Sequence, residues 1–482
     1  LDALLLTVIG AALTARCLVP TELPEQGTTL WLAQLWLAAG VIWAWKCWQQ
    51  GGFRVGLNPC DFAVWGVGAG HVLSAVSVLL SEGQKRSALN MLWEWVGLGI
   101  AWLVVRQTIR TRADARQVAS LLMIMAIVLA GAGFWQTHVS VPRAAATYDS
   151  LRRELDEAEN PHSGVDSAEP PTPEQRRQHV KILERQLLAT GVPPGALAGP
   201  TRVMFEKRLR SIEPSGSFSL TNTFAGWLLV WLLPVLAAAR GEFLQSGFAI
   251  RALVISFGAG VIACALMETK CRTAWAGLAV ALLLWTVWNV RVPGRSRWAL
   301  AVAALFGIGG LSGLLIFEAL RGVLDAEVLT EAPKSLRYRL QYWSAAWDVV
   351  RDHPLLGVGP GAFQQHYLKY KRPESSEEIA DPHNFVLDLW ANGGSLAVLC
   401  MAIFVVLVGR RALQQGSILQ PTEVPDSDDN GTMAGPLVLG AAMGFWLVVG
   451  YSVLSGQPLT DLQIPGSRPI CETGAAEIGV FG

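Results

Sequence analysis

Three arginines and one histidine, drawn from separate stretches, carry the most pointed chemistry in this sequence. From Ser335 to Arg351 the chain sets Leu336, Leu340, Trp343, Trp347 and Val350 along one helical stripe. Arg339 flanks that stripe and Arg337 lies further round on the polar side, so Arg339 is the better placed to point inward. The helix stops at His353-Pro354, and the glycine-rich turn Gly357-Val-Gly-Pro-Gly361-Ala-Phe363 follows. A phosphate cradle would use such glycines, and a tight reversal at a membrane surface explains them equally well. Asp381-Pro-His-Asn384 then precedes an apolar helix, which either Asn384 or Asp381 can cap, with His383 at the lipid-water boundary.

Arg272 opens another apolar helix after Glu268-Thr-Lys-Cys271, where a cation meets the unfavourable end of the helix dipole. An anionic partner would offset that placement. Guanidinium groups from two segments and one titratable imidazole together point to capture of a diphosphate. The planar fork of arginine binds phosphate oxygens bidentately and keeps its charge, while imidazole supplies a base near neutral pH. Taken alone, His383 reads as a capping or interfacial side chain.

The elements that position these groups belong to a membrane. With 52% hydrophobic residues, 16% charged residues and 20 tryptophans, the chain has more apolar surface than one soluble core can hide. Basic and acidic residues balance at 38 each, which excludes a global charge that would recruit nucleic acid. The seven cysteines show no CxxC spacing, which argues against a disulfide framework, a zinc site or a redox pair. The chain opens apolar at Leu1, and no cleavable signal peptide is read from it.

Apolar runs of about 18 to 22 residues begin near Leu4, Leu30, Phe62, Ala88, Val118, Phe218, Phe248, Arg272, Trp298, Asn384 and Ala434. The expected fold is therefore all-α, a polytopic membrane helical bundle of about eleven transmembrane helices. Arginines at Arg54, at Arg106 to Arg116, at Arg240 and Arg251, at Arg291 to Arg297 and at Arg410 and Arg411 place the N-terminus and those loops in the cytoplasm. Lys85 with Arg86 and Lys270 with Arg272 stand against that bias.

Two segments too long for simple connections then fall outside, in the periplasm. The expected division is 1–136 as N-terminal transmembrane helices, 137–217 as a periplasmic helical segment and 218–317 as central transmembrane helices. A periplasmic catalytic loop at 318–383, C-terminal transmembrane helices at 384–455 and a polar tail at 456–482 complete it. Within 137–217, helices are expected over Arg143 to Glu159 and Glu174 to Thr190, hinged at Pro161 to Pro173 and packing on each other through Leu151, Leu155, Leu183 and Leu187. Asp426-Ser-Asp428 matches a metal-binding triplet of nucleotide-sugar transferases but reads as a solvated acidic linker. Arg16, His71 and Glu94 lie inside spans. They keep a transporter reading open, and His71 and Glu94 equally suit a structural contact between helices.

From Arg339-Leu-Gln-Tyr-Trp343 through His353-Pro-Leu-Leu-Gly-Val-Gly-Pro-Gly-Ala-Phe363 to His383-Asn384 and Gly393-Gly394, the sequence resembles a bacterial envelope enzyme family. The family is the O-antigen ligase and O-antigen polymerase superfamily of membrane glycan transferases, and the likeness falls on its large periplasmic loop and following helix. Weaker echoes are Gly216-Ser-Phe-Ser-Leu-Thr-Asn222-Thr-Phe-Ala225 and Thr269-Lys-Cys-Arg272-Thr-Ala-Trp275.

The resemblance implies an inverting, metal-independent transferase without a cofactor in the bacterial inner membrane, its active site facing the periplasm. Such an enzyme moves a glycan from an undecaprenyl diphosphate carrier to a hydroxyl acceptor. By the same resemblance Arg272 and Arg339 would hold the diphosphate, Arg337 would help, and His383 would activate the hydroxyl. Cys271 stands where the family often has Ser. The acceptor stays open among lipid A core, a growing O-antigen or exopolysaccharide chain, and protein. These correspond to a lipopolysaccharide ligase, a repeat-unit polymerase and an oligosaccharyltransferase. After Ser455 no further span follows where the family commonly has one, so a truncated or divergent C-terminus is expected. From other classes, a lipid-linked oligosaccharide transporter and a degenerate membrane scaffold remain as rivals.

Overall fold

The computed structural model describes residues 1–19, 29–81, 84–159, 172–210, 213–218, 220–246, 250–289, 327–375, 378–415 and 434–455. In chain order the α-helices are α1 (Asp2–Leu18), α2 (Leu30–Gln49), α3 (Pro59–Leu80), α4 (Lys85–Thr108), α5 (Arg112–Trp135), α6 (Val141–Glu159), α7 (Pro173–Ala189) and α8 (Gly199–Leu209). They continue as α9 (Thr221–Ser246), α10 (Ile250–Glu268), α11 (Arg272–Asn289), α12 (Glu327–Asp352), α13 (Phe363–Tyr370), α14 (Phe385–Gln415) and α15 (Ala434–Ser455). The expected span near Trp298, most of the Pro161 hinge, the Asp426 triplet and the tail after Ser455 lie outside the described residues.

Among the described residues eight helices are long and apolar enough to cross a membrane. They begin at Leu30, Pro59, Lys85, Arg112, Thr221, Ile250, Phe385 and Ala434, close to eight of the apolar runs read from the sequence. α1 has 17 residues, and the apolar part of α11, Arg272–Trp285, is also short. The chain divides into two compact units, one of residues 1–16, 23–121 and 276–444, the other of residues 17–22, 122–275 and 445–482.

In the first unit α1, α2 and α4 share a core of Leu5, Ile9, Trp36, Ala39, Trp43, Ala101 and Val104. Local sequence starts α3 cleanly. Pro59 sits in its first turn, the Asn58 side chain accepts from the N–H groups of Cys60 and Asp61, and Asp61 accepts the Asn58 N–H in return. α3 also packs against α14 through Val67, Leu389 and Ala397.

The second unit contains the segment after α5. There the membrane-length helix does not end: a π-helical turn at Gln136–Ser140 carries it into α6, giving one helix from Arg112 to Glu159. α7 starts with a capping box between Thr172 and Gln175 and Pro173 at its first position. Leu155, Leu183 and Leu187 are buried together as expected. Tyr148, Phe205 and Leu209 join them, because a third helix, α8, closes the core. Arg152, Asp156, Arg202 and Glu206 form a chain of ion pairs beside it.

Candidate functional site

The stretch from α12 to α14 builds a small core of its own from Tyr342, Ala345, Ala346, Val350, Phe363, Tyr367, Ile379 and Ala391. This corrects the expected stripe: Leu340 is 56% exposed and Trp347 50% exposed. The small residues Ala345 and Ala346 let α12 approach Ala391 closely, so the buried face runs through Tyr342, Ala345, Ala346 and Val349. Arg339 stands three residues before Tyr342 and seven before Ala346, which puts it on that face one turn upstream, half-buried. Arg337 is in α12, and its side chain is not among those described.

His383 has a positive φ of 47°, uncommon for any residue but glycine. Three neighbouring residues hold it there. Trp343 donates its indole N–H to the Pro382 carbonyl at 3.1 Å, and the Tyr342 ring meets the imidazole edge-on at 6.1 Å. Asp381 Oδ1 accepts the His383 backbone N–H at 2.8 Å and lies 2.9 Å from His383 Nδ1. Burial pushes the Asp381 carboxyl up, but the hydrogen bond and charge of His383 outweigh it and hold the group below the usual carboxylate range. The cap of α14 is therefore Asn384, whose Oδ1 accepts from the N–H groups of Val386 and Leu387.

The glycine-rich turn is drawn against protein. Val358 N–H donates to the Ala391 carbonyl at 2.7 Å, and a Cβ on Gly357, at φ 71°, would come within 2.3 Å of that oxygen. The carbonyl is available because α14 breaks at Gly394, φ 70° and ψ −174°. Ser395 N–H, which would have closed the helix on Ala391, donates instead to the carbonyls of Pro354 and Leu355. The loop and the broken helix thus satisfy each other's backbone. An apolar cavity of about 350 Å³ has Phe385 in its wall. It continues between α3, α4 and α14 past Leu389, Trp65, Trp95 and Phe404.

Arg272 belongs to the second unit and is described there. It opens α11, and its Nε is buried without a hydrogen bond among the described residues. Glu213 lies close enough to feel both Lys270 and Arg272. Loss of hydration pushes its carboxyl up, and the two cations offset only part of that. Some of the anionic company expected for Arg272 is thus the protein's own. Nearby, Glu268 Oε1 and His138 Nε2 are 2.7 Å apart. Sequence reading did not pick out His138 or Glu213, and 130 residues separate His138 from Glu268, so no local spacing could have paired them.

His71 stacks on Trp95 with ring centroids 3.7 Å apart, and its Nδ1 lies 2.9 Å from the Val67 carbonyl. Glu94 accepts a hydrogen bond from the Thr29 hydroxyl. Both side chains are engaged in contacts that tie helices together.

Helices of membrane length throughout the described chain define a polytopic α-helical membrane protein. Residues 257–402, under a third of the chain, match the O-Antigen ligase family model, a stretch that includes Arg272, Arg339 and His383. A domain of that family is therefore present, which supports membership in its superfamily and, in general terms, glycan transfer by a membrane enzyme. No curated protein and no solved structure matches the chain.

Proposed function

We propose that this protein transfers a glycan, with inversion, from an undecaprenyl diphosphate carrier to a hydroxyl acceptor at the periplasmic face of the bacterial inner membrane. The observation that carries this reading is the pairing of Asp381 with His383 on a strained backbone, inside the stretch that matches O-Antigen ligase. With the Nδ1 proton directed at Asp381, Nε2 is the basic nitrogen. It takes the proton of the acceptor hydroxyl as that oxygen attacks the anomeric carbon. The bond from that carbon to the diphosphate breaks, and the diphosphate leaves with the electron pair. Arg272 and Arg339 hold the charge that develops there, with Arg337 as a helper, so the reaction requires no metal.

The apolar cavity lined by Phe385 suits a prenyl or acyl chain of a lipid-linked substrate. About eleven spans are proposed, counting α1, α11 and a helix near Trp298 with the eight of full length. The acceptor is a hydroxyl of lipid A core, of a growing glycan or of protein. A ligase, a repeat-unit polymerase and an oligosaccharyltransferase differ only in that group.

Purified protein in nanodiscs, given lipid-linked donor and acceptor with chelator present, should release carrier diphosphate. Donor left with its sugar bond intact would contradict the reading, and its passage across the bilayer of sealed proteoliposomes would make the protein a transporter.

A further inference from the structure

Where α3 begins and α4 ends, the chain before α3 is clamped to α4. The Gln107 side chain grips Gly56 from both sides. Its amide N–H donates to the Gly56 carbonyl at 2.9 Å, and its Oε1 accepts the Gly56 N–H at 3.0 Å. The clamp bounds a cavity of about 600 Å³ lined by Arg54, Arg106 and Arg110 beside Gln107, with no acidic residue in its lining. Two of these arginines are held from behind. Arg106 Nε donates to Asp61 Oδ1 at 3.1 Å, and Arg110 Nε donates to the Gln107 carbonyl at 2.8 Å.

Asp61 is 1% exposed and its oxygens are already committed, one to Arg106 and Trp102, the other to the Asn58 N–H. It can balance only part of the charge around the cavity. Neither of those Nε bonds uses the terminal nitrogens of its guanidinium, which are the donors that grip an oxyanion in pairs.

A surplus of arginine in a loop at a membrane surface needs no ligand, and Arg112 and Arg116 fit that description because neither lines the cavity. Arg54, Arg106 and Arg110 differ in lining one hollow bounded by the Gln107–Gly56 clamp. We propose that this cavity is a binding site for a phosphate anion. Its position at the ends of two membrane-length helices favours the phosphodiester headgroup of an anionic phospholipid over inorganic phosphate as the source. The site is separate from His383 and does not depend on the transfer reaction.

The test is native mass spectrometry of the full chain in detergent, titrated with phosphatidylglycerol, with phosphatidylcholine as the zwitterionic control and inorganic phosphate as competitor. Phosphatidylglycerol should bind in preference to phosphatidylcholine. R54Q/R110Q should weaken it about tenfold, near 1.4 kcal/mol, while R112Q/R116Q leaves it unchanged. Displacement by millimolar phosphate would identify the bare anion as sufficient. Arginine-dependent binding that phosphate does not displace would identify the lipid. If R54Q/R110Q does not fold, the single variants R54Q and R110Q carry the same comparison. Phosphatidylglycerol binding that is indifferent to Arg54 and Arg110, or no tighter than that of phosphatidylcholine, would overturn the proposal.

Discussion

Asp381 holds His383 twice through one oxygen, accepting its backbone N–H at 2.8 Å and lying 2.9 Å from its Nδ1. The first contact fixes the left-handed backbone at His383, and the second fixes which ring nitrogen carries the proton. Asp381→Asn should therefore leave donor affinity near that of the parent while transfer falls at least about tenfold, since the amide cannot balance the imidazolium that forms. Equal losses of binding and turnover would make Asp381 a structural residue only.

The arginine of α12 should be sensitive to shape as well as charge. Arg339→Lys keeps the cation but not the planar fork, so donor binding and transfer should fall almost as far as in Arg339→Ala. Arg337→Ala should be milder in both. Donor titration and single-turnover transfer for the three variants decide the matter, and full activity in Arg339→Lys would show that only charge is needed.

The break in α14 should be intolerant of a side chain. A Cβ on Gly394 would lie 2.0 Å from the Leu355 carbonyl oxygen at a φ of 70°. Gly394→Ala should cost about 1–3 kcal/mol from backbone strain alone, with the clash added, and should lower the unfolding temperature and transfer together. Gly409→Ala, in the same helix with nothing within 4 Å, should be neutral or slightly stabilising. Equal unfolding temperatures for the two variants would remove the special role of Gly394.

The helical unit of α6 to α8 should weaken in acid. Burial pushes the Glu206 carboxyl up, but hydrogen bonds from Arg202 and Tyr148 outweigh it and hold it below its ordinary 4.5. The unfolded chain then takes up the proton first. The stabilisation is complete above about 4.5 and is lost as pH falls through the lower folded value. Hydrogen exchange in α8, corrected for its intrinsic pH dependence, should show protection steady above about pH 4.5, falling below it, and falling less in Glu206→Gln. Parallel profiles in the two proteins would contradict the assignment.

Much of this arrangement could be read along the chain because its signals are local. Apolar length marks the spans that begin at Leu30, Pro59 and Ile250, and Asn384 before an apolar run marks the start of α14. What escaped reading depends on distant partners. Pro142, two residues past the π-turn, reads as a breaker between α5 and α6, yet the π-turn at Gln136–Ser140 carries the helix through it. Leu340 and Trp347 are apolar and helically spaced like a core stripe, yet the alanines beside them face Ala391 because only small side chains allow that approach. Asp381 looked like one of two helix caps. Its bond to the imidazole needs a positive φ at His383 that residue type alone does not specify. His138 and Glu213 come from other segments, and only folding brings them near Glu268 and Arg272.

The central claim is that His383 is the base, and the measurement that tests it most directly is single-turnover transfer by His383→Ala in nanodiscs beside its donor affinity. The account predicts binding little changed and transfer slowed by about 10²-fold or more, the usual worth of a positioned base. Transfer at the parent rate would contradict it and leave His383 as an interfacial side chain next to the Asn384 cap.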